Sequence, residues 1–547
     1  MPIVVKDIVR RKITLAHKKG ILSIMSMAAE HEIEYYPPGP LAIRRNTGST
    51  ETERDLALLV DRTFLKIWSY PRPWRRQRNP RDKTGDGKEL CDLLVVFDQH
   101  VIIFSDKNIA FQTGVDERIA WRRWYRRSIK ESAKQIFAAE RWIREFPERL
   151  YVDSRCTIPL PVKLPDVDDL IVHRIVVARG AGEDCKRYFR EGSGSLMIMP
   201  RIKGDEHLLS GGSEADDVFG GLCRPFMVGQ VDPRRGYVHV FDDATLGILL
   251  NTLDTARDFI DYLVAKERLI ASGMLAAAAG EEDLLAYYLK DVGPDGRHGF
   301  IFPKDTQFIS LDQGFWEEYQ KNPQRLAQIE ANRISYIWDE LIERFSFHAL
   351  NDSQYKTTAR GVGKSELAIR FLAREPRTRR RILAEMILDI VDRTKKRDAL
   401  LEASVLTPSE KGDPYYVIMA FRRPPGKSYD EYRDKRMTFL QAYINVAKLR
   451  FPEAIDLVGV AWGYEGSEGR TGGSEDLLYY DARKWSSADQ LEAEDLQKKF
   501  GFLKDVRIHT DVVKTYPDVA SIMKGGDRNK GCFCHSGLKF KRCHGRR

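Results

Sequence analysis

Four residues near the end of the chain have types and a spacing that suit a metal ion. Cys532, Cys534, Cys543 and His544 form the pattern C-x-C-x8-C-H. Thiolates and a neutral imidazole are donors of closed tetrahedral zinc sites, and four protein ligands leave no position for a water molecule. We therefore predict a structural zinc site at these four residues.

The residues around these ligands resemble the SEC-C motif, a short zinc-binding module at the end of the preprotein translocase motor SecA and on many unrelated bacterial proteins. The resemblance spans residues 529–545. It lies in Asn529, the pair Cys532 and Cys534, Ser536-Gly537, Phe540 between lysines, Cys543-His544 and Gly545. The chain departs from the motif at Gly531, Phe533 and His535, and none of these removes a ligand. The resemblance implies zinc binding and contact with proteins or ribosomes.

A second group of residues could hydrolyse a phosphodiester. In "CDLLVVFDQHVIIFSDK", residues 91–107, Asp92 lies on one predicted strand and Lys107 ends the next, while Glu53 lies on a predicted helix before them. Carboxylates can hold Mg²⁺, which polarises a phosphate and acidifies water. A lysine can stabilise the charge that develops at the reacting phosphate.

The two-residue period of a strand determines which of these side chains meet. It places Asp92 on one face of the first strand, and it places Ser105 and Lys107 together on one face of the second. Asp106 points away from Lys107 unless a β-bulge re-aims it. Because Ser105 stands where a second carboxylate is expected, the site must recruit Asp106, Glu89 or Glu53, or bind metal weakly.

This arrangement resembles the PD-(D/E)xK, or restriction-endonuclease-like, nucleases over residues 50–180. Those enzymes carry an acid on a first helix, an aspartate at the start of a strand, and acid-x-Lys at the end of the next. The resemblance implies a catalytic Mg²⁺ held by Glu53 and Asp92, with Asp106 or Glu89 assisting. It also implies that Lys107 stabilises charge at the phosphate and that Gln135 orients the reacting groups.

The elements that must position these residues form the order helix, strand, strand, helix, strand. Apolar residues recur at helical spacing after Ser49 or Thr50, a candidate N-cap. Strands are predicted over 90–97 and 101–105, followed by a helix from Arg118 and the strand "LIVHRIVVA". We therefore predict a restriction-endonuclease-like α/β core.

The whole chain of 547 residues is predicted to be an α/β multidomain protein. Patterning favours an almost wholly helical stretch over about 315–405 and a return of strand-helix-strand after it. The chain is predicted to have five parts: an N-terminal extension (1–48), a nuclease-like α/β domain (49–300), a helical region (301–412), a second α/β segment (413–520) and the zinc motif (527–547).

Basic residues indicate a nucleic-acid partner, DNA or RNA. The formal net charge is +9 and the sequence pI is near 9.0. The candidate phosphate contacts are Arg75, Arg76, Arg122, Arg123, Arg126 and Arg127. The interleaved aromatics Trp121, Trp124 and Tyr125 are more typical of core than of a stacking surface.

Other features exclude several classes of protein. No apolar run approaches the length of a membrane span, and the start of the chain has no secretory signal pattern, so we expect a cytoplasmic location without membrane contact. The cysteines outside the tail lack ligand spacing and are predicted to be buried thiols. "HVFDD", residues 239–243, has no second cluster at ligand spacing and is predicted to be a strand end with a helix cap.

These observations lead to two hypotheses. The first is a Mg²⁺-dependent endonuclease acting on DNA or RNA, in which the zinc motif docks a protein partner or the substrate, and for which bacterial defence is a fold-level analogy. The second is a non-catalytic nucleic-acid- or protein-binding scaffold with a degenerate nuclease fold and a zinc-binding tail.

Overall fold

The computed structural model describes most of the chain. The described residues are 4–6, 38–77, 87–190, 192–209, 224–294, 296–357, 361–410, 412–464, 475–504, 510–512, 514–519, 529–532 and 538–543. Two predicted zinc ligands, Cys534 and His544, lie outside these ranges.

The first part of the chain contributes strands to three sheets. In order its elements are Val4–Lys6 (β1), Glu51–Trp68 (α1), Ser69–Pro71 (β2), Trp74–Arg76 (β3), Gly87–Glu89 (β4), Leu93–Phe97 (β5), His100–Asn108 (β6), Glu117–Tyr125 (α2), Glu131–Glu145 (α3), Leu150–Tyr151 (β7) and Ile171–Arg179 (β8). A π-helical turn over Arg126–Lys130 joins α2 to α3. Helix α1 begins at Thr50, one of the two predicted caps, whose side chain accepts a hydrogen bond from the amide of Glu53.

Two predicted strand boundaries were wrong. The strand predicted over 90–97 begins at Leu93, because residues 90–92 pair elsewhere: Leu90 N donates to Pro73 O, and Arg72 N donates to Asp92 O. The strand predicted over 101–105 extends from His100 to Asn108, because its last residues continue to pair with β8.

The remaining elements complete the α/β architecture. They are Gly182–Tyr188 (α4), Met197–Lys203 (β9), Met227–Gln230 (β10), His239–Phe241 (β11), Thr245–Thr252 (α5), Ala256–Ser272 (α6), Leu275–Ala278 (β12), Glu281–Lys290 (α7), Ile309–Leu311 (β13), Phe315–Lys321 (α8), Pro323–Asn332 (α9), Tyr336–Leu350 (α10), Val362–Ala373 (α11), Arg377–Arg397 (α12), Leu401–Leu406 (β14), Tyr415–Arg422 (β15), Tyr429–Arg450 (α13), Asp456–Tyr464 (β16), Glu475–Asp481 (β17), Ser487–Phe500 (α14) and Thr510–Val512 (β18). The mainly helical stretch after residue 315 is confirmed.

A five-stranded mixed sheet positions the predicted site. Its order is β11-β8-β6-β5-β2, in which β2, β5 and β6 are antiparallel neighbours and β6, β8 and β11 run parallel. Helix α1 packs on one face, where Phe64 meets Phe97 of β5. Helix α3 packs on the other face, where Glu140 pairs with Arg174 of β8 at 2.6 Å.

Further sheets follow the first. Their orders are β4-β3-β7, β10-β9-β12-β13, β14-β15-β16-β17 and the pair β1-β18. The sheet β14–β17 includes a strand from within the predicted helical region 301–412. One hydrophobic cluster runs from Leu56 of α1 to Val460 of β16, so the first sheet and the later sheet share a core.

Two further predictions concern the cysteines outside the tail and membrane-spanning helices. Cys91, Cys156 and Cys185 are buried thiols, as predicted, whereas Cys223 lies outside the described residues. Within the described ranges, no helix has both the length and the apolar composition that a membrane crossing needs.

A buried ion pair between α6 and α7 provides a test of the fold. Lys266 is 1% exposed and pairs with Glu281, which also accepts a hydrogen bond from Tyr262 at 2.6 Å. Glu281→Gln leaves a buried ammonium without its counter-charge, so we expect the free energy of unfolding to fall by about 3–5 kcal/mol in urea titrations. The double variant Lys266→Met/Glu281→Gln buries no charge and should recover most of this loss. A double variant as unstable as the single one would contradict the argument.

Candidate active site and zinc motif

The hairpin β5–β6 brings two predicted site residues, Asp92 and Lys107, to the same face of the sheet as Ser105. Leu94 pairs with Ile103 and Val96 with Val101, so the same register places Asp92 opposite Ser105. Lys107 lies two residues further along β6 and therefore on the same face. The predicted assignment of faces thus agrees with the observed register.

These side chains, together with Gln135 of α3, form what we call the Asp92 cluster: Asp92, Ser105, Lys107 and Gln135. Lys107 Nζ lies 3.9 Å from Asp92 Oδ2. The Ser105 hydroxyl lies 3.1 Å from Asp92 Oδ2 and 3.3 Å from Gln135 Oε1. Because a hydroxyl has one proton, Ser105 can donate to only one of the two acceptors at a time.

The carboxylate of Asp92 is the most constrained group of the cluster. Its side chain is 12% exposed, and Oδ2 also accepts a hydrogen bond from the amide of Asp106 at 2.6 Å. Burial raises the pKa of Asp92, and the charge of Lys107 and the hydrogen bonds from Asp106 N and Ser105 offset only part of that effect. All these contacts are made to Oδ2, so Oδ1 has no hydrogen-bond partner among the described residues.

Glu53 flanks the Asp92 cluster from the first turn of α1. Its carboxylate accepts a hydrogen bond from Ser49 N at 2.7 Å, and its negative charge contributes to the raised pKa of Asp92. Arg72 pairs with Glu89 at 2.7 Å and also contacts Ser49. Glu89 is therefore engaged by Arg72. Glu53 is the neighbouring carboxylate whose charge raises the pKa of Asp92.

Asp106 faces the opposite side of the sheet. Strand β6 pairs with β8 without a bulge from His100 to Asn108, so no local irregularity re-aims Asp106. Its buried carboxylate pairs with Arg179 of β8 at 2.9 Å, and it meets Asp92 only through its backbone amide. Burial raises the pKa of Asp106 despite the opposing charge of Arg179. Sequence reasoning missed Arg179, because strand periodicity does not reveal which distant strand is the neighbour.

The helix before Gln135 separates core residues from basic surface residues. Trp121, Trp124 and Tyr125 are buried, which agrees with their predicted place in the core. Arg122 is half-buried and Arg123 bonds Gln112 at 2.7 Å, while Arg126 and Arg127 are exposed. Arg126 and Arg127 are the first residues of the π-helical turn that leads into α3.

The other predicted basic pair, Arg75 and Arg76, is engaged within the protein. The guanidinium of Arg75 lies 4.8 Å from the ring centre of Trp142, and that of Arg76 lies 4.7 Å from the ring centre of Tyr151. Arg76 also donates to the carbonyl of Cys156. Burial lowers the pKa of Arg75. These arginines stabilise the sheet β4-β3-β7 through cation–π contacts.

The described part of the tail forms a small turn around two of the predicted zinc ligands. Gly531 bridges to Lys539, Cys532 N donates to Leu538 O at 2.7 Å, and Phe540 N donates to Lys530 O at 2.9 Å. Cys543 follows the buried Phe540 and closes the turn, which brings it near Cys532.

Comparison with known proteins identifies only this tail. The family model of the SEC-C motif matches residues 528–546. The chain therefore carries a SEC-C motif, a type of motif associated with zinc binding. No curated protein and no solved structure matches the chain.

The tail provides a metal-content test. Replacing Cys532 and Cys543 by serine removes two thiolate donors from one site, so the double variant should contain one zinc equivalent fewer per chain than the wild type by elemental analysis. Cys156→Ser serves as the control outside the motif and should keep the wild-type content. Equal zinc in the wild type and the double variant would contradict the assignment.

The raised pKa of Asp92 leads to a prediction about stability. Folding disfavours the charged carboxylate, so its contribution to stability is full at low pH and is lost as pH rises through the folded-state pKa. At pH 7 we therefore expect Asp92→Asn to melt at a higher temperature than the wild type, with the difference narrowing as pH falls toward 4. Thermal melts over that range measure it.

The exposed Asp168 offers a matched control for this comparison. Asp168→Asn should leave the melting temperature close to that of the wild type throughout the range. An Asp92→Asn variant that melts at or below the wild-type temperature at pH 7 would show that Asp92 is not penalised by the fold.

Proposed function

We propose that this protein is a metal-dependent nuclease-like hydrolase that cleaves phosphodiester bonds of DNA or RNA. The proposal rests above all on the convergence of Asp92 and Lys107, 3.9 Å apart, with Gln135 on the same face of the sheet. Asp92 lies just before one strand, Lys107 on the next strand and Gln135 on a helix, and these separate parts of the chain meet there together with a flanking glutamate.

The order of elements supports a restriction-endonuclease-like core. Helix α1 is followed by the antiparallel strands β2, β5 and β6, then by the helical segment α2–α3, and then by β8, which returns parallel to β6. This order resembles that of the PD-(D/E)xK nucleases. Lys107 lies near the end of β6, as the Lys does in that resemblance, and Asp92 directly precedes β5, next to the strand start that carries the Asp.

The donor set suits Mg²⁺. This ion needs only one or two protein carboxylates, and it keeps water or phosphate oxygens in its remaining positions. Asp92 Oδ1 and the Glu53 carboxylate would hold it, and the bound ion would polarise the scissile phosphate and acidify a water molecule. Asp106 would act indirectly, because its amide fixes Asp92 Oδ2 while its carboxylate engages Arg179.

The other side chains have roles that follow from their chemistry. Lys107 would neutralise the charge that develops on the phosphate, and Gln135 would orient the attacking water or the phosphate through its amide. Arg123, Arg126 and Arg127 lie on the exposed side of the helical segment that leads to Gln135, where they would contact the phosphate backbone. The SEC-C motif would dock a protein partner or the nucleic acid, and a role in bacterial defence remains an analogy.

A cleavage assay tests this proposal. We expect plasmid DNA or single-stranded RNA to be cut in the presence of Mg²⁺ or Mn²⁺, and we expect Asp92→Asn and Lys107→Ala each to lower the rate by about 100-fold or more. Lys134→Ala, which removes an exposed lysine from the helix of Gln135, is the matched control and should cut at the wild-type rate. Absence of cleavage on every substrate at high protein concentration would overturn the proposal.

Ser105 favours a second candidate, a non-catalytic scaffold. The hydroxyl stands where a second metal-binding carboxylate is expected and makes hydrogen bonds within the protein instead. The variant Ser105→Asp distinguishes the two functions. If the wild type cuts nothing and the Ser105→Asp variant gains metal-dependent cleavage, the protein has a nuclease fold that has lost its activity. Metal-dependent cleavage by the wild type would exclude the scaffold.

A further inference from the structure

A second group of metal-ligand side chains meets on the other face of the same sheet. His173 of β8, His239 of β11 and Glu267 of α6 place one ligand atom each within 4.8 Å of one another. Glu267 Oε1 lies 2.8 Å from His173 Nδ1 and 3.0 Å from His239 Nε2. Two imidazole nitrogens and a carboxylate oxygen, supplied by two strands and one helix, therefore surround one point.

The sheet and α6 determine this convergence. Strand β11 runs parallel to β8, with His239 opposite Ile175, and His173 lies two residues before Ile175 on the same face. Helix α6 covers that face and brings Glu267 above both histidines. The histidine side chains are fully buried, whereas the Glu267 side chain is 29% exposed, so the group opens to solvent on the side of the helix.

A fourth residue orients the first histidine. His100, at the start of β6, has its Nδ1 2.9 Å from His173 Nε2. Histidines that bind metal through one ring nitrogen usually engage the other in a hydrogen bond, which fixes the tautomer and the ring orientation. His100 is placed to provide that contact when His173 binds through Nδ1.

The charges around the group suit a divalent cation. Lys266, the residue before Glu267, has its own counter-charge in Glu281. Glu267 is thus the acidic member of the group and would offset part of the charge of a divalent ion.

We propose that His173, His239 and Glu267 form a divalent transition-metal site, with Zn²⁺ as its ion and an open fourth position facing solvent. Two histidines and one glutamate are a donor set that Zn²⁺ uses where it keeps a water ligand. Bonds of 2.0–2.2 Å in a tetrahedral site separate the donors by about 3.4 Å, so Glu267 Oε1 needs to move away from each imidazole nitrogen by only about half an ångström.

The site is separate from the Asp92 cluster and from the tail. Along β8, Ala178, the partner of Lys107, lies five positions after His173, which corresponds to about 16 Å. The two groups also use opposite faces of the sheet. A metal ion here would hold α6 against the parallel strands β8 and β11, at the end of the sheet away from Lys107.

Metal content and thermal stability test the proposal in protein prepared without a histidine tag. In the Cys532→Ser/Cys543→Ser background, which lacks the tail site, we expect one zinc equivalent per chain after dialysis against Zn²⁺ and buffer. Adding His239→Gln should remove it, and so should Glu267→Gln as an independent second variant. Zn²⁺ should raise the melting temperature of the background protein and leave that of both triple variants unchanged.

His348→Gln in the same background is the matched control. His348 is half-buried and bonds Ser353 at 2.9 Å, away from the group, so this variant should bind zinc like the background protein. If the background protein binds no zinc, or if His239→Gln and Glu267→Gln retain it, the four residues form a hydrogen-bond network only and the proposal fails. Two variants at different elements keep the test decisive if one of them does not fold.

Discussion

The strand His100–Asn108 is the element on which both proposed sites depend. It lies in the middle of the five-stranded sheet, paired with Leu93–Phe97 on one side and Ile171–Arg179 on the other. Its odd-numbered residues Ser105 and Lys107 point toward α3, and its even-numbered residues, including His100 and Asp106, point toward the other face. A slip of one residue in its pairing would exchange the two sets and separate every group described above.

This two-faced strand also separates charges that would otherwise compete. The charge of Asp92 raises the pKa of Asp106, yet each carboxylate has a cation on its own face, Lys107 for Asp92 and Arg179 for Asp106. Burying an unpaired carboxylate is costly, so these cations reduce a penalty that the fold imposes at this end of the sheet. The sheet thus holds two carboxylates near each other without placing both on one metal-binding face.

Local pattern predicted much of the core and little of its long-range pairing. The cap of α1 at residue 50, the hairpin, and the shared face of Ser105 and Lys107 follow from chemistry within a few residues, and the structure has them. The pairing of Asp106 with Arg179 depends on which later strand lies beside β6, and periodicity contains no such information. His239 was predicted to have only a structural role for the same reason: near it in the sequence there is no second ligand, and His173 and Glu267 come from 66 residues before and 28 residues after it.

The predicted strand ends were also wrong, and the error at the start of β5 affects the position of Asp92 in the candidate site. Asp92 was expected inside a strand but precedes Leu93, because the chain there bonds to residues 72–73 instead of continuing the ladder. Because Asp92 lies before the first residue of β5, its backbone is not part of the β5 hydrogen-bond ladder. The amide of Asp106 still donates a hydrogen bond to its Oδ2. Strand propensity could not show whether Asp92 lies inside the strand or before it, because the backbone of residues 90–92 pairs with a segment about twenty residues earlier.

Ser105 has a different meaning once its contacts are known. A carboxylate in its place would stand across from Asp92 and near Glu53, and three acids around one buried point would need a bound cation to remain charged together. The hydroxyl instead donates to Asp92 or Gln135, and Lys107 balances the charge of Asp92, so the cluster is stable without an ion. In the proposed nuclease, only Asp92 Oδ1 and Glu53 would attract the cation, which would favour an ion that keeps most of its water or phosphate ligands. A protein with this arrangement would bind its metal mainly together with a phosphate-bearing substrate, because the substrate supplies the oxygen ligands that the serine does not.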